Sequence, residues 1–483
     1  MLFNSVHFAV FLPVVVALFF FIPHRYRWAL LLGASYYFYM CWRAEYLVLI
    51  LISTAVDYVV GRWLGTASHP GLRKALLAVS LVTNLGLLFA FKYANFVSDS
   101  LRMALEQVNV FRETPYFDVL LPVGISFYTF QTLSYTIDVY RGTRRPERHP
   151  GIFAVYVAFF PQLVAGPIER SQHLLPQFHE YHPLSYSAIY DGIRLMLWGF
   201  FMKIVVADRL ALYVDQVFDY PAAFGGAPTA VAAVFFSFQI YCDFSGYSYI
   251  AIGSAQCMGF RLMDNFRRPY FAQTIAEFWH RWHISLSTWF RDYLYIPMGG
   301  NRVEALRWCA NLMIVFTISG LWHGANWTFI IWGALHGLYY LLSRLTERMR
   351  KGAVSMLSLD RIPRTLALGR MAFTFVGVTL AFVFFRANSL GDAVTLFSNF
   401  VTFQPLEETI RVALRPADFA VAWAAIAAII AVEWYWEWHP PTRGRAPLAD
   451  ARSTSRWLFD YGLLMGILVF GEFGYNPFIY FQF

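Results

Sequence analysis

Residues Trp308–Ser343 read WCANLMIVFTISGLWHGANWTFIIWGALHGLYYLLS, a run of 36 residues without Asp, Glu, Lys or Arg. A helix needs about 20 apolar residues to cross a bilayer, so this run predicts two membrane-embedded helices. It also carries His323 and His336. Burying an imidazole in apolar surroundings costs free energy unless the ring is used or hydrogen-bonded. The stretch therefore predicts a membrane protein with a functional site, either an enzyme or a transporter.

The composition of the whole chain supports a membrane protein. Hydrophobic residues make up 58% of the chain and charged residues only 14%, whereas soluble domains carry about 25% charged residues. We predict an all-α, polytopic integral membrane protein with about eleven to thirteen transmembrane or re-entrant helices around a central cavity. Residues 1–483 are expected to form a single membrane domain without a separate soluble domain.

Charge and cysteine patterns narrow the class further. The first basic residues, Arg25 and Arg27, follow the first apolar segment, which predicts an uncleaved anchor with its N-terminus outside. Interfacial contact with anionic lipid explains the net charge of +8, so no nucleic-acid partner is expected. The four cysteines are scattered singly and indicate buried apolar residues, not disulfides.

The segment Arg268–Arg302, RPYFAQTIAEFWHRWHISLSTWFRDYLYIPMGGNR, is the richest in reactive side chains. Read as one helix, it places Trp279, His283 and Leu286 on a single apolar stripe. His283 is therefore predicted to be buried. The following residues, Met298–Arg302, predict a tight basic turn whose exposed backbone N–H groups are suited to a phosphate.

Four histidines in these segments each have a functional and a structural interpretation. His280 and His283 form an H-x-x-H pair, but no neighbouring carboxylate or cysteine completes a ligand set, so no metal site is expected. For His323 and His283 a functional role is favoured over a packed, hydrogen-bonded histidine. For His336 and His280 both interpretations stay open.

Several blocks of this sequence are similar to one known family. They are RWHISLSTWFRDYLYIPMGGNR, SGLWHGANWTFIIWGALHG, LPVGISFYTFQTLSYTIDVYRG, FFPQLVAGPIERSQHLLPQF, QIYCDFSGYSYIAIG, VFFRA and the terminal FIYFQF. Together they resemble the membrane-bound O-acyltransferases, in particular the bacterial polysaccharide branch typified by alginate O-acetyltransferase. The resemblance covers nearly the whole chain.

The resemblance implies particular site residues. The family's catalytic histidine corresponds to His323, and the second histidine of its active site corresponds to His283. One departure is Tyr249, where an aspartate is expected; this places a carboxylate role there in doubt and leaves Asp243 as the nearby acid.

The resemblance also implies a reaction, in which acetyl groups pass from cytoplasmic acetyl-CoA to an extracytoplasmic hydroxyl, with no bound cofactor. We expect His323 to be the general base and His283 to position or stabilise the reacting carbonyl. Asn326, three residues beyond His323, is interpreted as an orienting or oxyanion-side donor on the same helical side, or equally as an interhelical hydrogen-bonding residue. Covalent and direct transfer both stay open.

The phosphates of CoA are assigned to a group of two arginines and one asparagine. This group comprises Arg291, Asn301 and Arg302. The alternative role of these side chains is interfacial snorkelling.

Location and partners follow from the same resemblance. It implies a multi-pass protein of the bacterial inner membrane that passes acetyl groups to a periplasmic acetyltransferase partner. The final acceptor is left open among alginate, acetylated cellulose, another exopolysaccharide and peptidoglycan. Acylation of a lipid or a peptide is one alternative.

A polytopic transporter is the other alternative. Its ion path would use intramembrane charges, namely Asp57, Lys92, Asp138, Lys203, Asp243 and Glu433. A transporter of this kind is expected to have repeated halves, and the sequence has no such internal symmetry.

Overall fold

The computed structural model describes residues 1–109, 115–117, 120–164, 166–402, 404, 406–412, 415–439, 453–474 and 478–479. These residues form helices joined by turns and loops, which confirms the predicted all-α class. The chain divides into two compact units, Met1–Met196 with Ile250–Met263 and Leu197–Tyr249 with Asp264–Phe483. The expectation of one functional membrane domain stays a prediction.

The first unit contains the N-terminal helices. They are α1 (Val6–Phe21), α2 (His24–Met40), α3 (Leu47–Leu64), α4 (Pro70–Leu88), α5 (Ala94–Gln107), α6 (Ile125–Arg141), α7 (Pro150–Ala158), α8 (Phe160–Leu163) and α9 (Ser171–His179), and α10 (Tyr186–Phe200) contributes residues to both units. Side-chain caps set some of the starts: Ser5 Oγ accepts from Phe8 N–H at 3.2 Å, and the His149 ring accepts from Ile152 N–H at 3.1 Å. Such caps satisfy backbone donors that the first helical turn leaves without intrahelical partners.

The second unit contains the remaining helices. They are α11 (Asp208–Asp219), α12 (Gly226–Cys257, which also reaches into the first unit), α13 (Ile275–Arg281), α14 (Ile284–Phe290), α15 (Ala305–His323), α16 (Trp327–Leu345), α17 (Glu347–Met356), α18 (Pro363–Arg386), α19 (Leu390–Asn399), α20 (Leu406–Arg411), α21 (Pro416–Trp438) and α22 (Ser453–Phe470). Helices α15 and α16 occupy the uncharged run Trp308–Ser343, so the prediction of two helices there is confirmed.

Six helical stretches within the described part of the chain are long and apolar enough to cross a membrane. They are Ala44–Leu64, Pro70–Gln107, Gly226–Cys257, Ala305–His323, Pro363–Arg386 and Pro416–Trp438. Two shorter apolar stretches, Val6–Phe21 and Pro150–Leu163, fall below that length. The fold is thus that of a polytopic membrane protein, whereas the larger number of embedded helices stays a prediction.

Asp57, one of the charges considered for an ion path, is buried in a polar cluster of the first unit. Its carboxylate accepts hydrogen bonds from Thr136 at 2.9 Å, from Asn84 at 2.8 Å and from Ser80. Ser53 in turn donates to Asn84 Oδ1 at 2.5 Å. Because the donors come from α4 and α6, the cluster ties both helices to α3, and hydrogen bonding offsets the cost of burying the carboxyl group.

Helices α15 and α16 approach each other closely through glycine. A Cβ atom at Gly320 would lie 2.2 Å from the carbonyl oxygen of Phe329, and one at Gly333 would lie 2.3 Å from that of Phe316. Small residues of this kind let membrane helices pack backbone to backbone. The close crossing fixes the end of α15, where His323 lies.

Replacing Gly333 by alanine is expected to destabilise the second unit, because the new methyl group has no space between the two helices. Overpacking of this kind costs about 1–3 kcal/mol, which we expect to appear as a lower thermal midpoint in detergent. The matched control is Gly377→Ala in α18, where a Cβ atom meets nothing within 4 Å. Equal midpoints for the two variants would contradict the proposed close crossing.

Candidate active site

The two histidines favoured by the sequence lie side by side in the second unit. The ring centroids of His283 and His323 are 6.2 Å apart and the rings are inclined by 62°. Both side chains are buried, with exposures of 0% and 2%. A shared role in proton transfer requires a common reaction partner within hydrogen-bond reach, about 3 Å from each ring nitrogen. The observed separation permits this arrangement.

His283 lies between two helices and not in the middle of one. Helix α13 ends at Arg281, Trp282 is extended, and His283 has the left-handed conformation φ 42°, ψ 54° before α14 begins at Ile284. The predicted continuous helix is therefore wrong at this point, although the predicted burial of His283 is confirmed. A non-glycine residue in this conformation costs about 1–3 kcal/mol, and such strain clusters at functional sites.

Aromatic rings surround the two imidazoles. The His323 ring lies 4.9 Å from Trp322, 5.0 Å from Trp332 and 5.4 Å from Phe385, all centroid to centroid. The His283 ring lies 4.6 Å from that of Phe244. Burial lowers the pKa of His283 to about 3, so this imidazole is neutral at pH 7. A neutral imidazole has one nitrogen that can accept a hydrogen bond or a proton.

Asn265 is a site residue that the sequence analysis missed. Its Oδ1 lies 3.1 Å from His283 Nδ1, 2.9 Å from Ser285 Oγ and 3.3 Å from Ser285 N. The backbone carbonyl of Asn265 accepts from Ile284 N–H at 2.9 Å, and its Nδ2 donates to Ser248 Oγ at 3.2 Å. A lone asparagine in the loop after α12 carries no periodic signal, so only the folded chain identifies it.

Asn326 does not continue the helix of His323. Helix α15 ends at His323, and Asn326 is the N-cap of α16, where its Oδ1 accepts from Thr328 N–H at 3.1 Å. Its Nδ2 donates to the carbonyl oxygen of Asn388 at 3.2 Å. The premise that Asn326 and His323 share one side of a helix is wrong, and the observed contacts are those of a capping residue.

An ion-pair network holds α13 against α21. The guanidinium of Arg281 contacts both carboxylate oxygens of Glu437, at 2.9 and 3.0 Å, and Glu277 at 2.6 Å. Arg268 donates to Glu437 at 2.6 Å. One turn earlier on α21, the buried Glu433 accepts from the hydroxyl of Tyr241. Because a bidentate pair fixes orientation as well as distance, this network positions the chain two residues before His283.

Asp243, the acid expected near the site, forms an ion pair and accepts a backbone hydrogen bond. Asp243 Oδ1 lies 2.6 Å from Lys203 Nζ, and its Oδ2 accepts from Ile479 N–H at 2.7 Å. Lys203 lies in the π-helical turn Phe201–Ala207 and contacts Asp208 Oδ1 at 2.8 Å as well. Asp243 therefore anchors neighbouring segments of the second unit. Ile479 belongs to the terminal FIYFQF motif, whose last four residues lie outside the described residues.

His336 and His280 have different surroundings. His336 is fully buried, with its ring 5.0 Å from both Trp279 and Trp332, and neither ring nitrogen has a hydrogen-bond partner within the described residues. His280 is exposed. Across the described part of the chain, no group of three or more His, Cys, Asp or Glu side chains is arranged to hold a metal ion.

A cavity of about 230 Å³ is lined by residues close in sequence to His283 and His323, but neither imidazole contributes to its lining. Its lining residues are Ala276, Trp279, His280, Ile284, Leu286, Ser287, Thr288, Phe290, Arg291, Tyr295, Leu312, Val315, Phe316, Ser319 and Tyr340. Of the residues predicted to bind CoA phosphates, Arg291 contributes to this cavity. Asn301 and Arg302 are exposed and absent from its lining.

The glycine turn before α15 forms as predicted but does not present its backbone donors. Gly299 and Gly300 have φ values of 106° and 57°. The N–H groups of Gly299, Gly300 and Arg302 donate to the carbonyls of Ile296, Tyr295 and Gly299, at 3.0, 3.0 and 3.1 Å. The predicted exposure of the turn's N–H groups is therefore wrong for Gly299, Gly300 and Arg302.

The fold and this site define a polytopic helical membrane protein with two buried histidines side by side. The model of the membrane-bound O-acyltransferase family matches residues 76–385, which include both histidines. The chain belongs to the membrane-bound O-acyltransferase family. It is therefore an acyltransferase, as the sequence predicted.

The relatives of this chain include proteins named as alginate O-acetylases and as a peptidoglycan O-acetyltransferase. It is 38% identical over 500 residues to "Probable alginate O-acetylase AlgI" of Pseudomonas putida, covering 99% of both chains. It is 40% identical over 436 residues to the protein of the same name in Azotobacter vinelandii, covering 88% of this chain and 83% of the relative. "Peptidoglycan O-acetyltransferase" of Helicobacter pylori is 35% identical over 397 residues, covering 76% and 72%.

Proposed function

We propose that this enzyme takes acetyl groups from cytoplasmic acetyl-CoA and delivers them across the bacterial inner membrane for O-acetylation of an exported polysaccharide. His323 acts as the general base, and His283 assists at the reacting group. The observation that carries the proposal is the pair of buried imidazoles, 6.2 Å apart, inside the segment that matches the acyltransferase family. The similarity to alginate O-acetylases supports acetyl as the transferred group and a polysaccharide as the final acceptor.

In the proposed reaction, an acetyl group moves from a thioester sulfur to a hydroxyl oxygen, and a proton moves the opposite way. The oxygen of an acceptor hydroxyl attacks the thioester carbonyl carbon while His323 removes the hydroxyl proton. The carbon–sulfur bond then breaks, and the proton passes from His323 to the thiolate, which leaves as the CoA thiol. Water has little access to the pair because aromatic rings enclose both imidazoles, and exclusion of water limits competing hydrolysis of the thioester.

The cavity beside α13 and α14 is assigned to the donor. Its lining is mainly apolar, with Thr288 and Ser319 as hydrogen-bonding groups and Arg291 as its cation. The apolar lining and hydroxyl groups suit the pantetheine arm of CoA, whose amides need hydrogen bonds. The guanidinium suits the phosphates of CoA, which need a positive charge. Asn301 and Arg302 are exposed on the following turn, and in this proposal they contact the phosphates through their side chains.

The acceptor side is assigned to a partner protein. A periplasmic acetyltransferase would receive the acetyl group from this enzyme and pass it to the polymer, as the similarity to the polysaccharide branch implies. In this proposal, the helices that are long and apolar enough to cross a membrane would surround the route between donor and acceptor. Alginate or a related exopolysaccharide is the acceptor that the relatives favour.

The test uses the full chain in lipid nanodiscs with acetyl-CoA labelled in its acetyl group. Periplasmic extract from a polysaccharide-producing bacterium is added, and both released CoA thiol and label in macromolecules are measured. The proposal predicts equal amounts of the two products, with label in protein or polysaccharide that organic solvent does not extract. Label recovered in solvent-soluble lipid, or faster turnover with a long-chain acyl-CoA, would instead identify a lipid acyltransferase.

A further inference from the structure

The hydrogen bonds around Asn265 determine which of its amide atoms faces His283. The backbone N–H of Ser285 can only donate, and it lies 3.3 Å from the atom assigned as Oδ1. An amide nitrogen in that place would oppose one donor with another. The opposite end of the amide lies 3.2 Å from Ser248 Oγ, which accepts from Nδ2. The assignment of Oδ1 therefore follows from the backbone.

This orientation in turn determines the tautomer of His283. Because Oδ1 only accepts, the Nδ1 atom 3.1 Å away must carry the proton. In a neutral imidazole the other nitrogen, Nε2, then has a lone pair and no proton. The competing arrangement has Ser285 Oγ donating to Nδ1, but those atoms are 3.5 Å apart, whereas Ser285 Oγ lies 2.9 Å from Asn265 Oδ1. The shorter contacts favour the proton on Nδ1.

The backbone reinforces the same geometry. The left-handed conformation of His283 turns the N–H of Ile284 toward the carbonyl of Asn265, at 2.9 Å. Arg267 follows Asn265 by two residues in the same loop, and its N–H donates to the carbonyl of Arg281 at 2.8 Å. The loop that carries Asn265 is thus bonded to both sides of the break between α13 and α14. Strain at His283 is offset by contacts that hold its ring in one orientation.

We propose that Asn265 is a positioning residue that holds His283 in the Nδ1–H tautomer, so that His283 enters the reaction through Nε2 as a hydrogen-bond acceptor. This inference rests on the proposed acetyl transfer and refines it. An Nε2 atom without a proton cannot donate to a developing oxyanion, so oxyanion stabilisation falls to other groups. A substrate hydroxyl has a single proton, so it first binds by donating that proton to Nε2 of His283 and then turns it to His323, which removes it as the oxygen attacks the thioester.

The first test measures the tautomer directly and needs no activity. Protein labelled with ¹⁵N in histidine is studied by NMR in detergent, and His283→Gln identifies the signals of His283. The expected result is a protonated Nδ1 and an unprotonated Nε2 in the wild type. A protonated Nε2 in the wild type would overturn the inference, whatever the enzyme's activity.

The second test compares two variants with the wild type at matched protein stability. Asn265→Leu keeps the side-chain volume but removes the acceptor, and we expect loss of the Nδ1–H tautomer and a fall in kcat of about 10–100-fold, the size of loss known for partners that orient metal-binding histidines. KM for acetyl-CoA is expected to stay within about twofold, since the cavity assigned to the donor is untouched. Ser248→Ala removes only the Nδ2 contact and should keep the tautomer. Retention of the Nδ1–H tautomer in Asn265→Leu would refute the positioning role.

Asn265→Asp provides a readout that a purely structural residue would not affect. The carboxylate still accepts from Nδ1–H, but its negative charge stabilises the imidazolium and raises the pKa of His283. A protonated His283 cannot accept through Nε2, so the acid limb of the pH–kcat profile should move to higher pH. An unshifted profile would contradict the inference. If the wild type shows the Nδ1–H tautomer yet transfers no acetyl group, the proposed function fails while the tautomer assignment stands.

Discussion

Replacing His323 by alanine is expected to lower acetyl transfer by about 10²–10⁴-fold, the usual contribution of a general base. The side chain is only 2% exposed and its ring is enclosed by Trp322, Trp332 and Phe385. No water-borne base can therefore replace the imidazole efficiently. The effect should appear in kcat, because the cavity assigned to the donor does not include His323.

The assay for His323→Ala is the release of CoA thiol in nanodiscs with periplasmic extract as acceptor. His439→Ala is the matched control, since that imidazole is exposed at the end of α21. Thermal midpoints of both variants establish that the chain folds. Full turnover by a folded His323→Ala variant would refute the assignment of His323 as the base.

Replacing Lys203 by methionine is expected to cause the largest loss of stability. Its ammonium lies 2.8 Å from Asp208 and 2.6 Å from Asp243, and the three side chains are between 2% and 3% exposed. Methionine fills a similar volume but leaves two carboxylates buried without their cation. Breaking a buried ion pair in this way costs about 3–5 kcal/mol.

The measurement for Lys203→Met is the thermal midpoint in detergent, followed by intrinsic tryptophan fluorescence. Lys351→Met is the matched control, because Lys351 pairs with Glu347 at 2.8 Å but is 74% exposed, and surface pairs contribute little. Adding Asp208→Asn and Asp243→Asn to Lys203→Met should recover part of the loss, since amides tolerate the absence of a cation. A midpoint for Lys203→Met equal to that of Lys351→Met would contradict the structural role of the cluster.

The sequence predicted the burial of the reactive histidines but not the geometry that relates them. An uncharged run and apolar spacing report burial, and His283 and His323 are buried as expected. Periodicity assumes that a helix continues, so it did not predict the left-handed break at His283 or the end of α15 at His323. For the same reason periodicity placed Asn326 on the helix of His323, whereas the structure has it at the start of α16. The N–H groups of Gly299 and Gly300 were expected to be exposed, but they are hydrogen-bonded within the turn.

What the sequence by itself determined is the class of the molecule. Long apolar runs can satisfy their backbone groups within a membrane only as helices, and the motifs around His283 and His323 identify the family. Only the tertiary structure decided which groups contact one another. The bonds from Asn265 to His283 and Ser285, and from Asp243 to Lys203 and Ile479, join segments 18 to 236 residues apart. Local propensity does not extend over such separations, because hydrogen bonds between distant segments form only when packing brings them together.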